Sequence, residues 1–390
     1  MEKYGKQRLF EMMNRVCKTN IREMDKEIYP DVHDRCIKPE ELVDILNYGI
    51  KRREIKPWKR DKFDRKIPYY HASNVHKITG DTEPHEIYSD IDIDRIISDI
   101  TQEPKTILSQ NTKMEKSGYG DTLTVNTGLP AFRGLVYDTS RKTFIVVNTC
   151  VGVGSCLHTC YAKQGNYIQF PDPNLSAIRI LNYLLNEPDK FEDKVYRELR
   201  HEFTKKRRDF NPQKIFMRWN DSGDFFAKEY YNIALRVTER LREEGYNLIS
   251  YAHTKNADVY NLSNPYFIMS FSTNASPSEL KKVDLSKAKT SEYVPYEVFS
   301  DLFIKNSRGD ALTDDSGKVL FIDGKEGIKE LKNRISKKYN VDVNTLLTYD
   351  EMINTPVEDG VFWNVIVMPK GDGDVAAQRY DVRRSFLLHH

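Results

Sequence analysis

Residues 214–255 read KIFMRWNDSGDFFAKEYYNIALRVTERLREEGYNLISYAHTK, and this stretch decides the fold. It opens with a short apolar run, residues 214–219, bounded by turn chemistry, which reads as a strand. NDSGDFF then supplies a tight turn. Residues 228–244 carry apolar side chains at helical spacing and stop at Gly245, the residue that most often ends a helix. A second strand, residues 247–255, follows. Strand, helix, strand is the pattern of a βαβ unit with a parallel sheet.

Working outward, YFIMSFSTN (266–274) reads as a further strand and VFWNVIVMP (361–369) as a late one. Upstream, the β-branched run from Phe144 to Val147 is a strand that ends at Cys150, and residues 174–200 read as one helix with Leu181, Leu184 and Leu185 on a single face. Polar residues gather just after the strands: Cys150, Asp221 to Asp224, His253 to Lys255 and Ser270 to Asn274. The carboxyl edge of a parallel sheet is where active sites form. The expected architecture is therefore α/β, a complete or partial (β/α) barrel with parallel strands. It would span residues 105–390, with an irregular insertion at about 275–356. Residues 1–104 read as a mostly helical N-terminal region on the patterns EELVDILNYGIKRR and IYSDIDIDRIISDI.

The chain has 390 residues, 39% hydrophobic and 30% charged, enough for a substantial core with a well-solvated surface. No apolar run approaches the ~18 residues needed to span a bilayer, and the opening MEKYGKQRLFEMM lacks a signal-peptide core, so a cytoplasmic location is expected. The net charge of +2 identifies no partner, but residues 51–66 concentrate Lys and Arg around Trp58 and Phe63, and a second basic run covers Lys205 to Arg208. Such runs serve either as solvated faces or as contacts to a phosphate backbone.

Five cysteines, an odd number, argue against a disulfide framework. Cys17 and Cys36 are isolated and read as ordinary buried thiols. Cys150, Cys156 and Cys160 lie close together in NTCVGVGSCLHTCYAKQGNY, spaced C-x5-C-x3-C, with Gly152 and Gly154 letting the loop curl. Thiolates are soft ligands, suited to an iron–sulfur cluster or to zinc. Three cysteines leave one iron of a four-iron (4Fe-4S) cluster open; with His158 (or His201) they complete a tetrahedral zinc site. The bland reading is three small apolar residues in a tight loop.

In the turn RWNDSGDFF, Asp221 and Asp224 flank Ser222 and Gly223 and follow Arg218. The acids suit an amine or a sugar hydroxyl, and the bland reading is a helix N-cap. His253 and Lys255 are candidates for acid–base or phosphate-binding work. The terminal GDGD with Arg379, Asp381, Arg383 and Arg384 is a candidate lining of the same pocket.

The segments ILSQNTKMEKS, GLPAFRG, NTC-x5-C-x3-CYAKQGNY, RWNDSGDFF, YAHTK and DVRRSFLLHH together resemble a phage and mobile-element family of the gene-product-eighty-eight type. That family in turn resembles radical S-adenosylmethionine (SAM) enzymes. This second resemblance implies a 4Fe-4S cluster on Cys150, Cys156 and Cys160 in a loop after the first barrel strand. It also implies SAM contacts from Ser222, Gly223, Asp224 and Arg218, and an external electron donor. The spacing here is longer than the usual C-x3-C-x2-C, and SGD stands where GGE is usual. A further similarity, of DSGDF to guanine and deazaguanine transglycosylases, implies a zinc enzyme in which Asp221 grips a base. The expected substrate on either reading is a nucleotide or nucleic acid, such as phage DNA, in the host cytoplasm. A non-catalytic nucleic-acid-binding protein with structural zinc is the third reading, and the 51–66 segment supports it.

Overall fold

The computed structural model describes residues 33–37 (backbone only), 92–110, 122–155, 160, 171–205, 212–262, 264–307, 309–315, 319–368 and 373–388. In chain order the elements are β1 (His33–Ile37), α1 (Ile93–Thr101), β2 (Thr122–Asn126), β3 (Arg133–Asp138) and β4 (Thr143–Asn148). Next come α2 (Pro171–Asn186), α3 (Pro188–Thr204), β5 (Lys214–Trp219), α4 (Lys228–Glu243), β6 (Leu248–Thr254) and α5 (Ala257–Tyr260). They are followed by β7 (Phe267–Ser272), α6 (Pro277–Leu280), β8 (Thr290–Tyr293), α7 (Lys325–Tyr339) and β9 (Leu346–Thr348). The last are α8 (Tyr349–Asn354), β10 (Trp363–Val367), α9 (Gly373–Gln378) and β11 (Val382–Leu387).

Eight strands form one parallel sheet in the order β2-β5-β6-β7-β8-β11-β10-β9. The unit at residues 214–255 folds as its sequence requires. Helix α4 ends with Gly245 at φ +89°, with Gly245 N–H bonded to Arg242 O and Tyr246 N–H to Leu241 O. This paired 5→2 and 6→1 pattern is the Schellman cap, which satisfies carbonyls the helix cannot. One sheet face carries Leu123, Val125, Ile215, Met217, Leu248 and Phe267 into a core with α3 and α4. On the opposite face, α9 covers Phe216 and Tyr251 with Ala377, and covers β10 and β11 with Val375 and Ala376. Gln378 reaches Thr124 and Tyr251 from the same helix.

Several expectations are corrected. Among the described residues β2 and β9 stand at the two ends of the strand order, so no complete barrel forms. β4, the strand before the cysteines, is not in the parallel sheet; it pairs antiparallel with β3 and β1. Its apolar, β-branched run fits either kind of sheet, because such propensity measures burial and not partners. The stretch 275–356 is not irregular: it supplies β8 and β9, whose few residues are too short to show a period. The helix at 174–200 is two helices, because Pro188 lacks the N–H needed to continue α2 and starts α3 instead. In the N-terminal region only α1, capped by Asp92, and the strand β1 are described, so Cys17 and the segment at 51–66 lie outside the described residues. No helix among the described residues is long and apolar enough to cross a membrane.

The hairpin β3–β4 turns on Asp138, whose Oδ1 accepts from Ser140 N–H, Arg141 N–H and the Ser140 hydroxyl. The outer edge of β3 is closed by side chains of α2. Asn182 accepts from Tyr137 N–H (2.9 Å) and donates to Leu135 O (3.0 Å). One helical turn on, Asn186 accepts from Thr139 N–H and donates to Tyr137 O. The two amides take the place of a neighbouring strand, which protects an otherwise open edge. Asn182→Ala strands the buried Leu135 carbonyl and the half-buried Tyr137 N–H, and is expected to cost about 1–3 kcal/mol in chemical denaturation. A loss below ~0.5 kcal/mol would show that water replaces the amide.

Candidate functional site

Five chain segments interlock at the carboxyl edge of the parallel sheet. The loop after β2 and the turn after β5 are zipped together. Asp221 N–H bonds to Thr127 O (2.8 Å), Leu129 N–H to Ser222 O (2.9 Å), and the Ser222 hydroxyl to Leu129 O (2.6 Å). Gly223 sits at φ +78°, where a Cβ would come within 2.8 Å of Leu129 Cβ. The turn is thus packed against the GLPAF segment, and Ser222 spends its hydroxyl and its carbonyl there.

The cysteine loop lies across the ends of β6 and β7. Ser276 N–H bonds to Gly152 O (2.7 Å), Val153 bridges Ala275, and Asn274 Nδ2 donates to Ser155 Oγ (2.9 Å). A Cβ on Gly152 would lie 2.4 Å from Lys255 O, and one on Gly154 would lie 2.5 Å from the carbonyl oxygens of both Asn274 and Ala275. The glycines therefore serve close approach to the sheet edge as well as curvature.

Cys150 enters this loop from β4. Its N–H bonds to Asn148 Oδ1 (3.0 Å), and its sulfur accepts from Phe132 N–H (3.2 Å). Burial pushes the Cys150 thiol up to about 12; Lys255 opposes the shift, while Asp224 and Cys160 add to it. Cys160 is half-buried and near enough to act on Cys150. Cys156 and His158 lie outside the described residues. Among the described residues no three His, Cys, Asp or Glu side chains are grouped to hold a metal. His201 falls in the last turn of α3. Cys150 and Cys160, both half-buried, fit a soft metal: the donors are sulfur, and a coordinating cation deprotonates a thiol whose pKa desolvation raises.

Asp224 is fully buried between the turn and β6. Oδ1 accepts from Phe225 N–H (2.7 Å) and Oδ2 from Lys255 N–H (2.7 Å). Burial raises its pKa, against the opposing charge of Lys255 and the hydrogen bonds it accepts from Thr254, Lys255 and Phe225. Asp224 thereby clamps the end of β6, directly beside Cys150. A second cluster lies on the α9 side of the sheet. Arg218 Nη1 donates to Asp221 (2.9 Å) and to Asp374 on α9 (2.7 Å). His253 Nδ1 shares a hydrogen bond with Ser291 Oγ (3.2 Å).

The structure thus brings Cys150, Cys160, Asp224 and Lys255 together, with Arg218 and His253 on β5 and β6 and Asp221 in the turn after β5. It does not bring in the basic residues of the tail. Arg379 and Asp381 pair with each other at the amino end of β11, the opposite edge, where Arg379 also caps α8 through Met352 O and Thr355 O. Arg384 pairs with Glu292 on β8 and also donates to Tyr339 O. Phe132, Asn148, Ser291 and Gln378 escaped the reading of the sequence. Phe132 and Asn148 lie in segments that carry the family resemblance, GLPAFRG and NTC, without a role of their own.

Fold and site together define an α/β protein with an open parallel sheet and a sulfur-bearing loop on its carboxyl edge. Over residues 105–296, from before β2 to just after β8, the chain matches the family described as Gene product 88. The match supports the phage-type resemblance and lends nothing to that with radical SAM enzymes. No curated protein and no solved structure matches the chain.

Proposed function

We propose that this protein is a metalloenzyme whose Cys150, Cys156 and Cys160 hold an iron–sulfur cluster and whose substrate is a nucleotide or nucleic acid. The observation that carries the reading is the seating of the cysteine loop over β6 and β7, beside Lys255 and Asp224, instead of at the protein's periphery. A structural metal needs no such place; a reactive one does. In its finer form Cys150, Cys156 and Cys160 would hold a four-iron cluster that, with SAM bound, would supply radical chemistry, with an electron donor as partner. Ser222 and Asp224 enter that form as residues that shape the turn, since their polar atoms already accept or donate within the protein.

The chain's own residues have definable tasks. Lys255 offsets negative charge at the sulfurs. Gly152 and Gly154 let the loop close on the sheet edge and exclude water. His253, oriented by Ser291, places its imidazole on the α9 side of the sheet, where the buried hydroxyls of Ser270, Ser272 and Ser385 belong to neighbouring strands. Hydroxyls with little net charge suit the sugar and base edges of a nucleotide.

Purification without oxygen is expected to give a coloured protein with several irons per chain, and Cys156→Ala is expected to lose both colour and iron. One zinc per chain in a colourless protein would move the assignment to the zinc reading. A chain that takes up neither metal would overturn both.

A further inference from the structure

Phe132 is held in a backbone conformation that phenylalanine avoids. Its φ is +72°, and Arg133 N–H bonds back to Ala131 O at 2.9 Å, closing a three-residue turn around it. An i→i+2 bond with positive φ at the centre is the rare γ-turn, strained for any residue with a Cβ. The left-handed region costs a non-glycine residue ~1–2 kcal/mol. Glycines stand nearby at 128 and 134, yet 132 is Phe, and its ring is buried with the Arg133 guanidinium 4.7 Å from the centroid.

The turn has a definite result. Phe132 O accepts from Thr149 N–H (3.0 Å) while Phe132 N–H donates to Cys150 Sγ (3.2 Å). Thr149 also hydroxyl-bonds to Pro130 O, so the turn and the start of the cysteine loop are locked flush. Extended backbone at Phe132 would aim the N–H elsewhere and leave the sulfur without this donor.

We propose that the strained turn at residues 131–133 exists to present the Phe132 amide to the Cys150 sulfur, making Phe132 a positioning residue of the metal centre. The inference rests on the metal-centre reading above. The hydrogen bond fixes the sulfur's direction and draws charge from it, which strengthens the ligand set and tunes the bound metal.

The test uses the full chain and cobalt(II) alone as probe. Phe132 is replaced by its α-hydroxy analogue, which exchanges the N–H for an ester oxygen and keeps the ring. The expected result is cobalt binding weakened about tenfold, with a shifted sulfur-to-cobalt charge-transfer band. Unchanged affinity with an unchanged band overturns the proposal. A second measurement needs no variant: in wild-type protein loaded with a spin-active cadmium isotope, the labelled Phe132 amide proton should show scalar coupling to the metal across the sulfur. Bound cadmium without that coupling also overturns it. If the wild-type chain binds neither cobalt nor cadmium, the metal-centre reading itself fails, and this inference falls with it.

Discussion

Arg218→Met is expected to destabilise the protein by about 3–5 kcal/mol, the usual cost of removing one partner from a buried ion pair. Arg218 is 6% exposed, and its Nη1 serves two carboxylates, Asp221 at 2.9 Å and Asp374 at 2.7 Å. Asp374 is fully buried, so its charge loses both its partner and any prospect of hydration without local opening. The effect should spread along α9, because Asp374 begins the helix whose Ala377 packs on Phe216 and Tyr251 and whose Gln378 reaches Thr124. Guanidinium denaturation would measure the loss. The double variant Arg218→Met, Asp374→Leu should regain part of it, since replacing a buried pair by apolar groups is far cheaper than stranding one member. A single variant within ~1 kcal/mol of wild type would mean that water reaches the cluster, and that α9 is not tied to the sheet through Arg218.

That role for Arg218 was out of reach of the sequence, although its neighbourhood was not. Residues 214–255 were readable because every local signal agreed: apolar runs of strand length, a helical period, and Gly245 where a Schellman cap requires it. Strand direction puts Asp224 and Lys255 at one end of the parallel sheet, whereas Cys150 follows a strand of the other sheet and reaches that edge only through its loop. Pairing partners are a different matter. Asp374 meets Arg218 across more than a hundred residues, and β4 leaves the parallel sheet for a hairpin, without any local mark of either event. β8, TSEY, and β9, LLT, are too short for a period to show. Phe132 was the hardest case. Phenylalanine is no signal for positive φ, so a strained turn built on it is visible only once the backbone is seen.

The turn after β5 shows how the local and non-local parts combine. Its glycine and two acids suggested a ligand grip. In the folded chain Gly223 admits the packing of Leu129, Ser222 bonds to Leu129 O, and Asp224 bonds to the backbone of Phe225 and Lys255. The turn is therefore the joint that locks three strand ends, β2, β5 and β6, into one rigid rim. Rigidity of that rim is what the proposed metal centre would need, because a set of sulfurs binds tightly only if the backbone that bears them is already in place.

The loop's own attachment gives the last prediction. If the cysteines hold a metal, as proposed, Gly152→Ala is expected to abolish its binding by the full chain while leaving the sheet folded. Two costs add at this position. At φ +78° an L side chain pays ~1–2 kcal/mol for the left-handed backbone. Its Cβ would also stand 2.4 Å from Lys255 O and 2.8 Å from Glu279 Cγ, contacts that real Cβ atoms do not make. Neither neighbour yields easily. Lys255 is held through its own N–H by Asp224, and Glu279 is 7% exposed and bonded to Ala257 N–H and Lys282. The loop must lift, breaking the Ser276–Gly152 bond and the Val153–Ala275 bridge that seat it. Cys150 would keep its hold on β4, but the segment leading to Cys156 and Cys160 would leave the edge of β6 and β7, and the ligands would part. Circular dichroism should report an unchanged fold, while metal analysis of the purified variant should fall to a small fraction of the wild-type content. If Gly152→Ala retains the full metal complement, the ligand set assembles independently of its seat on the sheet, and the rim is not what organises the centre.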